Sequence, residues 1–592
     1  MKRVIASIAI AMCVVASWAV KADPTPTVVT QPDGTQLTII VHGDEDCNWY
    51  TTSDGVLLYP IGNSYFVASI SANGEIAPTT LLAHERSMRS DNETSIIAKQ
   101  DKAAFYSAIK GRQQQYRARR ISIGTAATSY FPHTGSPKAL VILVEFSDTL
   151  FSVSEPSVVF DEYLNHEGSS MPDHSNYERR NHGSVRQYFN DMSNGAFTPQ
   201  FDVYGPVRME KPSAYYGEGT DNMTRIKEMI VAACDSIDKD VDFTEYDQDG
   251  DGFVDLVYVI YAGYSQSVGG NSVDCIWPKS GTLGSVSNTF DGMKINRFGI
   301  NNELNYYPGR EFNNYPEITK RINGIGLFCH EFSHTLGFPD LYCELEVDNQ
   351  ELEYWDLMDG GEYVDNGYTP APYSPWEKEV AGWTTIDEIT EAKQITLADG
   401  QAVRIKSDTS DEYIILLNMQ NNGWAKAMLG HGMLVYRIDY PYDSVNLFDK
   451  PNAITSGKPA VTLLPADGLL ISSYRVYDSE PSDTKPYSIT EYINSHYGDP
   501  YPGTSNVTEI EKFQMNECVI KKPIYNITEN LEEGTISFEY LNKIINGIDN
   551  ISDLHSQDAK QTVYSIDGRN LGTDFSKLAK GIYIVGGKKI LK

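Results

Sequence analysis

The feature that most constrains this 592-residue chain is one short string, His330-Glu331-Phe332-Ser333-His334-Thr335-Leu336-Gly337-Phe338-Pro339-Asp340. Ile325, Phe328, Phe332 and Leu336 give the surrounding segment an apolar helical face. His330 and His334, four residues apart, therefore leave the helix on one side and can reach one zinc ion. Glu331 is one step round the helix, placed to take a proton from the attacking water. Gly337 can adopt a left-handed conformation, ending the helix and turning the chain back. That turn brings Asp340 towards the same metal as a third, oxygen ligand, with Glu344, Glu346, Glu351 and Glu353 as alternatives further on. Three protein ligands leave a fourth position open, which is the coordination of a catalytic zinc and not of a structural one.

Eighteen residues beyond Asp340 comes Met358, in the glycine-rich string Tyr354-Trp355-Asp356-Leu357-Met358-Asp359-Gly360-Gly361. A methionine turn beneath a zinc helix is the second mark of the metzincin class. The string from Cys329 to Tyr342, the Trp355–Met358 turn and the segment Trp376 to Trp383 together resemble the immune-inhibitor-A-like family of secreted metzincin metallopeptidases (peptidase M6-like). The resemblance implies a zinc metalloendopeptidase in which His330, His334 and Asp340 hold zinc, Glu331 is the general base, and Met358 is the turn methionine, with Gly337 structural at the site. Two departures stand out. Astacin-like and serralysin-like metzincins carry a tyrosine two residues after the turn methionine, where this chain has Gly360, and the third ligand is Asp where His is commoner.

Tyr246 to Asp255 resembles the same family's acidic loop. Asp247, Asp249, Asp251 and Asp255 fall on calcium-loop positions 1, 3, 5 and 9, and Gly252 on the turn position. Position 12 is Tyr258 and not Glu, so the EF-hand is incomplete and other residues would complete a structural calcium site. The segments His431 to Asp439 and Gly498 to Gly503 resemble the family's β-region after the catalytic domain, and Gln31 to Gly34 and His42 to Glu45 its propeptide.

The remaining chain sets the compartment. Met1-Lys2-Arg3, an apolar run to Val20 and small residues up to Ala22 read as a signal peptide cut after Ala22, which makes the product secreted or displayed on the cell surface. The run is short for a membrane anchor, and no later stretch reaches spanning length, so stable membrane insertion is not expected. Lys plus Arg number 48 against 80 Asp plus Glu, a net charge of −32. Phosphate backbones would repel such a chain, which excludes nucleic acid as a partner. Six cysteines outside the leader are too few for a disulfide framework.

The expected fold class is multidomain: an α/β metzincin-like zinc peptidase domain, a β-sandwich-like region and a small C-terminal β domain. The expected divisions are signal peptide 1–22, propeptide-like region 23–120, catalytic domain 121–390, β-rich accessory region 391–545 and sorting-like domain 546–592. The propeptide-like region closes on the basic cluster Arg117 to Arg120, suited to nicking. It would make the protein a zymogen, with Cys47, Asp44, Glu45 or Asp46 filling the metal's open position. Val563 to Arg569, then Leu578 to Val585 and a Lys-rich end, resemble the sorting domain of the type IX secretion system, which implies that machinery as a partner. The expected substrates are proteins or peptides. Two other readings are a surface-displayed adhesin with a vestigial zinc site and a zinc hydrolase directed at glycoproteins. The intact Glu331 speaks against the first.

Overall fold

A computed structural model describes residues 17–18, 20–44, 47–123, 130–168, 171, 180–217, 223–284, 288–306, 320–342, 352–439, 452, 458–473, 487–542, 562–566, 568–585 and 588–592, with backbone alone at 17–18, 113–123 and 588. Several sheets and interleaved helices make a mixed α/β architecture. Its central sheet has six strands in the spatial order Ser17–Trp18, Lys279–Thr282, Arg297–Asn302, Val257–Tyr261, Lys138–Glu145 and Gln200–Arg208. The last four run parallel, whereas Lys279–Thr282 is antiparallel to Arg297–Asn302.

Parallel strands must be covered on both faces, which is why Ala139 to Val144 is apolar without a break. The alternation of strand side chains then divides two cores. Leu140, Ile142, Val144, Val257 and Val259 meet the helix Met223–Ile237. Val141, Leu143, Tyr258 and Ile260 meet the helix Gly326–Leu336, which carries the two histidines. Its Phe328 ring lies 4.1 Å from that of Tyr258 and 5.5 Å from that of Phe201, and Phe332 is 5.4 Å from Phe131. Burial of one such side chain contributes roughly 1.5–3 kcal/mol, so this aromatic face fixes the helix on the sheet. The helix Val185–Met192 packs beside it, capped by Ser184, whose hydroxyl accepts from the Gln187 amide.

Beyond Trp383 a five-stranded sheet, Asp387–Glu388, Ala402–Lys406, Tyr413–Met419, Gly432–Ile438 and Val461–Leu463, faces a three-stranded one of Lys393–Leu397, Thr535–Tyr540 and Ile524–Asn530. Ile414, Leu416, Met433 and Val435 share a core with Ile395, Leu397, Ile536 and Phe538. The alternate residues Tyr413, Ile415, Leu417, Leu434 and Tyr436 turn the other way and join the core of the active-site helix. One sheet therefore serves two cores, and the helix Gly326–Leu336 is backed by it. At the C-terminus Val563–Ser565, Ile582–Val585 and Lys588–Leu591 form a small antiparallel sheet around Val563, Val585 and Ile590.

Residues 27–82 form a separate six-stranded antiparallel sheet in simple sequential order. Its core takes in Trp277 and Leu327, so the sheet is seated beside the edge strand Lys279–Thr282 and the helix Gly326–Leu336. The helix Lys102–Ile123 runs through Arg117 to Arg120, so that cluster lies in the final turns of a helix and not in an extended linker. Helix ends open at low free-energy cost, which still exposes such a cluster to cutting. Cys234, Cys275, Cys329 and Cys518 are free thiols among the described residues, while Cys343 lies outside them.

One ion-pair network makes the stability of this N-terminal unit pH-dependent. His84 lies 3.0 Å from both Asp33 Oδ2 and Glu93 Oε2. Burial opposes its charge, but the two carboxylates outweigh burial and raise its pKa above the ordinary imidazole value. Stability from such a group is fully present below the unfolded pKa and is lost as pH rises through the folded one. The unit is expected to melt at lower temperature at about pH 8.5 than at about pH 6, and His84→Asn to shrink that difference, as scanning calorimetry would record.

Candidate active site

The helix Gly326–Leu336 ends where Gly337 takes φ 101°, a left-handed value that lets its amide and that of Phe338 return to the His334 and Ser333 carbonyls. The reversal carries Asp340 back under the helix. His330 Nε2 and His334 Nε2 lie 3.2 Å apart, and Asp340 Oδ1 stands 3.4 Å from the first and 3.2 Å from the second. All three residues are buried. The structure thus brings together the three expected ligands. Of the alternatives, Glu344, Glu346 and Glu351 lie outside the described residues, and Glu353 serves a different pocket.

These donors fit a divalent cation. Each imidazole gives its Nδ1–H to a backbone carbonyl, His330 to Leu357 at 2.9 Å and His334 to Phe338 at 2.8 Å, which turns both Nε2 lone pairs inward. Asp340 Oδ1, fully buried, has no hydrogen-bond partner among the described residues. The surrounding electrostatics call for positive charge. Burial opposes an imidazolium at His330, yet Glu362, Asp340 and Glu331 outweigh it and hold its pKa up to about 10. Burial lowers that of His334. Burial also works against the Asp340 carboxylate, but the two histidines overcome it and hold the carboxyl well below its usual range. Two nitrogens and one carboxylate oxygen with an open fourth position suit zinc.

Met358 lies beneath this group, fully buried against the helix. Its carbonyl accepts from the Leu341 amide at 2.8 Å, and Asp356 pins the turn by accepting from the Met358 and Ser374 amides at 2.8 Å each. Gly361 is required here, since a Cβ would meet the Asp356 carbonyl oxygen at 2.2 Å. Glu331 is wholly buried beside the ligands, and burial raises its pKa well above the ordinary carboxylate value. Its Oε1 accepts from the Val20 amide at 3.2 Å.

That last contact was not anticipated. The strand Ser17–Trp18 adds antiparallel to the edge strand Lys279–Thr282, Trp277 Nε1 donates to the Val20 carbonyl at 3.0 Å, and Tyr363 OH donates to the Lys21 carbonyl at 2.7 Å. Lys21 Nζ reaches Asp359 Oδ1 at 3.2 Å and Glu353 Oε2 at 3.5 Å. The residues facing the base therefore belong to the segment read as the end of the leader. Cys47 packs instead with Trp49, Leu57 and Phe105, and Asp44 accepts from the Cys47 amide, because the hairpin turn at Gly43 directs both into the N-terminal unit's own core. Glu45 and Asp46 lie outside the described residues. Glu362 and Asp359 carry no signal in the sequence, since acidic residues scattered through a loop have no spacing pattern, and Glu353, an alternative ligand by sequence, pairs with Lys21.

In the acidic loop Asp247, Asp249 and Asp255 offer oxygens within 4.8 Å of one another. Asp251 stands outside that trio, its Oδ1 accepting from the Phe253 amide at 2.8 Å. Asp247 already accepts from the Gly250, Asp251 and Gly252 amides, which folds the loop round the carboxylates.

Residues 126–384, which hold this site, match the family model described as immune inhibitor A peptidase M6, catalytic domain. Among curated proteins the chain is similar to the pre-pro-metalloprotease PrtV of Vibrio cholerae serotype O1 (strain M66-2), 26% identical over 262 residues that cover 40% of this chain and 27% of that protein. It is likewise 26% identical over 298 residues to immune inhibitor A of Bacillus thuringiensis subsp. alesti, covering 43% of this chain and 41% of that one. The chain thus spans well under half the length of these curated relatives. No helix among the described residues is long and apolar enough to cross a membrane.

Proposed function

We propose that this protein is a secreted zinc-dependent endopeptidase of metzincin type, made as a zymogen and acting on protein substrates. One observation carries the reading: His330, His334 and Asp340 converge beside Glu331, and the Val20 amide donates to that carboxylate while Ser17–Trp18 pairs with the edge strand Lys279–Thr282. Bound zinc would polarise a peptide carbonyl and acidify water. The chain's own residues do the rest. The side of Lys279–Thr282 on which Ser17–Trp18 lies would receive an extended substrate by strand addition once the leader is gone, which orients the scissile bond over the helix. Glu331 takes the proton of the attacking water on Oε1 or Oε2 and returns it to the leaving nitrogen. Its buried setting raises its proton affinity and so fits it for that shuttle. With Gly360 at the position after the turn, no tyrosine from that position assists.

The test is Asp340→Ala. Zinc retained after dialysis, measured by elemental analysis, is expected to fall to a small fraction of one equivalent. Unchanged zinc would put the third ligand elsewhere and refute this ligand set.

Calcium in the loop of Asp247, Asp249 and Asp255, with Asp251 contributing on loop closure, is expected to protect the fold. A ligand that binds only the folded state at a hundredfold excess over its dissociation constant contributes about 2.7 kcal/mol. A melting temperature that ignores calcium, with zinc held saturating, would contradict it. The relatives' names support the peptidase reading, and the intact base disfavours the adhesin. The C-terminal sheet is compatible with a type IX sorting role, which export of a chain lacking residues 546–592 would test.

A further inference from the structure

A second built site lies one residue along the chain from the Val20 amide that meets Glu331. The Lys21 side chain is only 4% exposed, with Nζ between Asp359 and Glu353 and 5.6 Å from the centre of the Tyr342 ring. Both carboxylates are held by groups other than the lysine. Asp359 Oδ2 accepts from the Leu352 and Glu353 amides at 3.1 and 2.7 Å. Glu353 Oε1 accepts from the Ser473 amide at 3.0 Å, and its Oε2 from Tyr492 OH at 2.7 Å. Glu353 also sits at φ 50°, a left-handed backbone that a non-glycine residue adopts at a cost. The fold therefore aims these two acids, and the lysine occupies what they make.

Two further observations point to a ligand. Glu362 is 1% exposed, and neither of its carboxylate oxygens has a hydrogen-bond partner among the described residues. It lines a cavity of about 290 Å³ together with Tyr354, the neighbour of Glu353, and with Tyr363 and Asn302. The position is also fixed relative to the chemistry: Asp359 directly follows Met358, and Lys21 follows the residue whose amide meets Glu331. Buried carboxylates deprived of their cation are strongly destabilising. Once the leader departs, this pocket needs another buried cation.

We infer that Asp359 and Glu353, with Glu362 behind them, form a specificity pocket for a lysine or arginine side chain of the substrate, so that the enzyme selects polypeptides with a basic residue just after the cut bond. Lys21 sits as such a side chain would. This rests on the peptidase reading above. In an extended chain whose amide meets Glu331 as that of Val20 does, the nitrogen facing Glu331 is on the leaving side, and the basic residue falls first or second after the scissile bond.

The experiment has two arms. The exported, processed protein is profiled on a peptide library, and kcat/KM is compared for matched peptides carrying lysine, arginine, norleucine or glutamate after the cut. Lysine and arginine are expected to exceed norleucine at least tenfold, and Glu353→Gln to reduce that ratio several-fold. In parallel, the inactive Glu331→Ala protein is titrated with the same fluorescent peptides, with tenfold weaker binding expected when lysine becomes norleucine. Cleavage indifferent to basic residues at both positions, or equal binding of the lysine and norleucine peptides, overturns the pocket and leaves the peptidase intact. If zinc-loaded protein cuts no peptide at all, the peptidase reading fails, and the binding arm still decides the pocket.

Discussion

Replacing Glu331 by alanine is expected to abolish peptidase activity while leaving fold and zinc content in place. Glu331 is not among the converging donors, so the ligands lose nothing when it is truncated. Its side chain makes one hydrogen bond among the described residues, to the Val20 amide, so few native contacts go with it. Removing a positioned acid–base group typically costs about 10²–10⁴-fold in rate, and here one carboxylate serves both proton transfers, so the upper end is expected. The measurements are kcat/KM on a quenched peptide, zinc by elemental analysis and a thermal melt of the same preparation. Activity within a few-fold of the parent would remove Glu331 from the mechanism.

The local signals in the sequence carried this site because each was short-range. Two histidines at a four-residue spacing share a helix face whatever surrounds them. Gly337 closes the helix through its own φ, and Ser184 caps its helix through a neighbouring amide. What escaped depended on distant partners. The Lys21 contacts with Glu353 and Asp359 join residues more than 300 positions apart. Nothing near Glu362 in the sequence announces that it will be buried beside His330. In the strand Tyr413–Met419 the apolar run from Tyr413 to Leu417 is legible in the sequence, and it is the mark of burial on both faces. That its odd residues would line the catalytic core depended on packing, which no local pattern fixes. The candidate blocking groups near Cys47 were chosen for their metal chemistry, and a hairpin's own core claimed the two that are described.

The second large effect concerns the N-terminal unit. Its sheet is seated on Trp277 and Leu327 beside the edge strand Lys279–Thr282, and the Asp23 amide at its start donates to the Ser267 carbonyl. A substrate strand would need the same edge. The precursor with Arg117, Arg119 and Arg120 replaced is therefore expected to stay uncut and to show under about 1% of mature activity, the order expected when the chemical groups are intact but inaccessible. Segment 23–120, made separately and added to mature enzyme, is expected to inhibit it. An uncut precursor as active as the mature form, with no inhibition by the segment at high micromolar concentration, would make the unit a folding aid or a binding module.

The central claim is that His330, His334 and Asp340 hold a zinc ion on which peptide hydrolysis depends. The most direct test is to strip the processed protein with a chelator, titrate zinc back, and follow peptide cleavage against zinc content in the same samples. Activity is expected to vanish on stripping and to return in proportion to zinc, reaching its plateau at one equivalent per chain. Full cleavage by protein stripped of zinc, or no cleavage of any peptide at one bound equivalent, would contradict it.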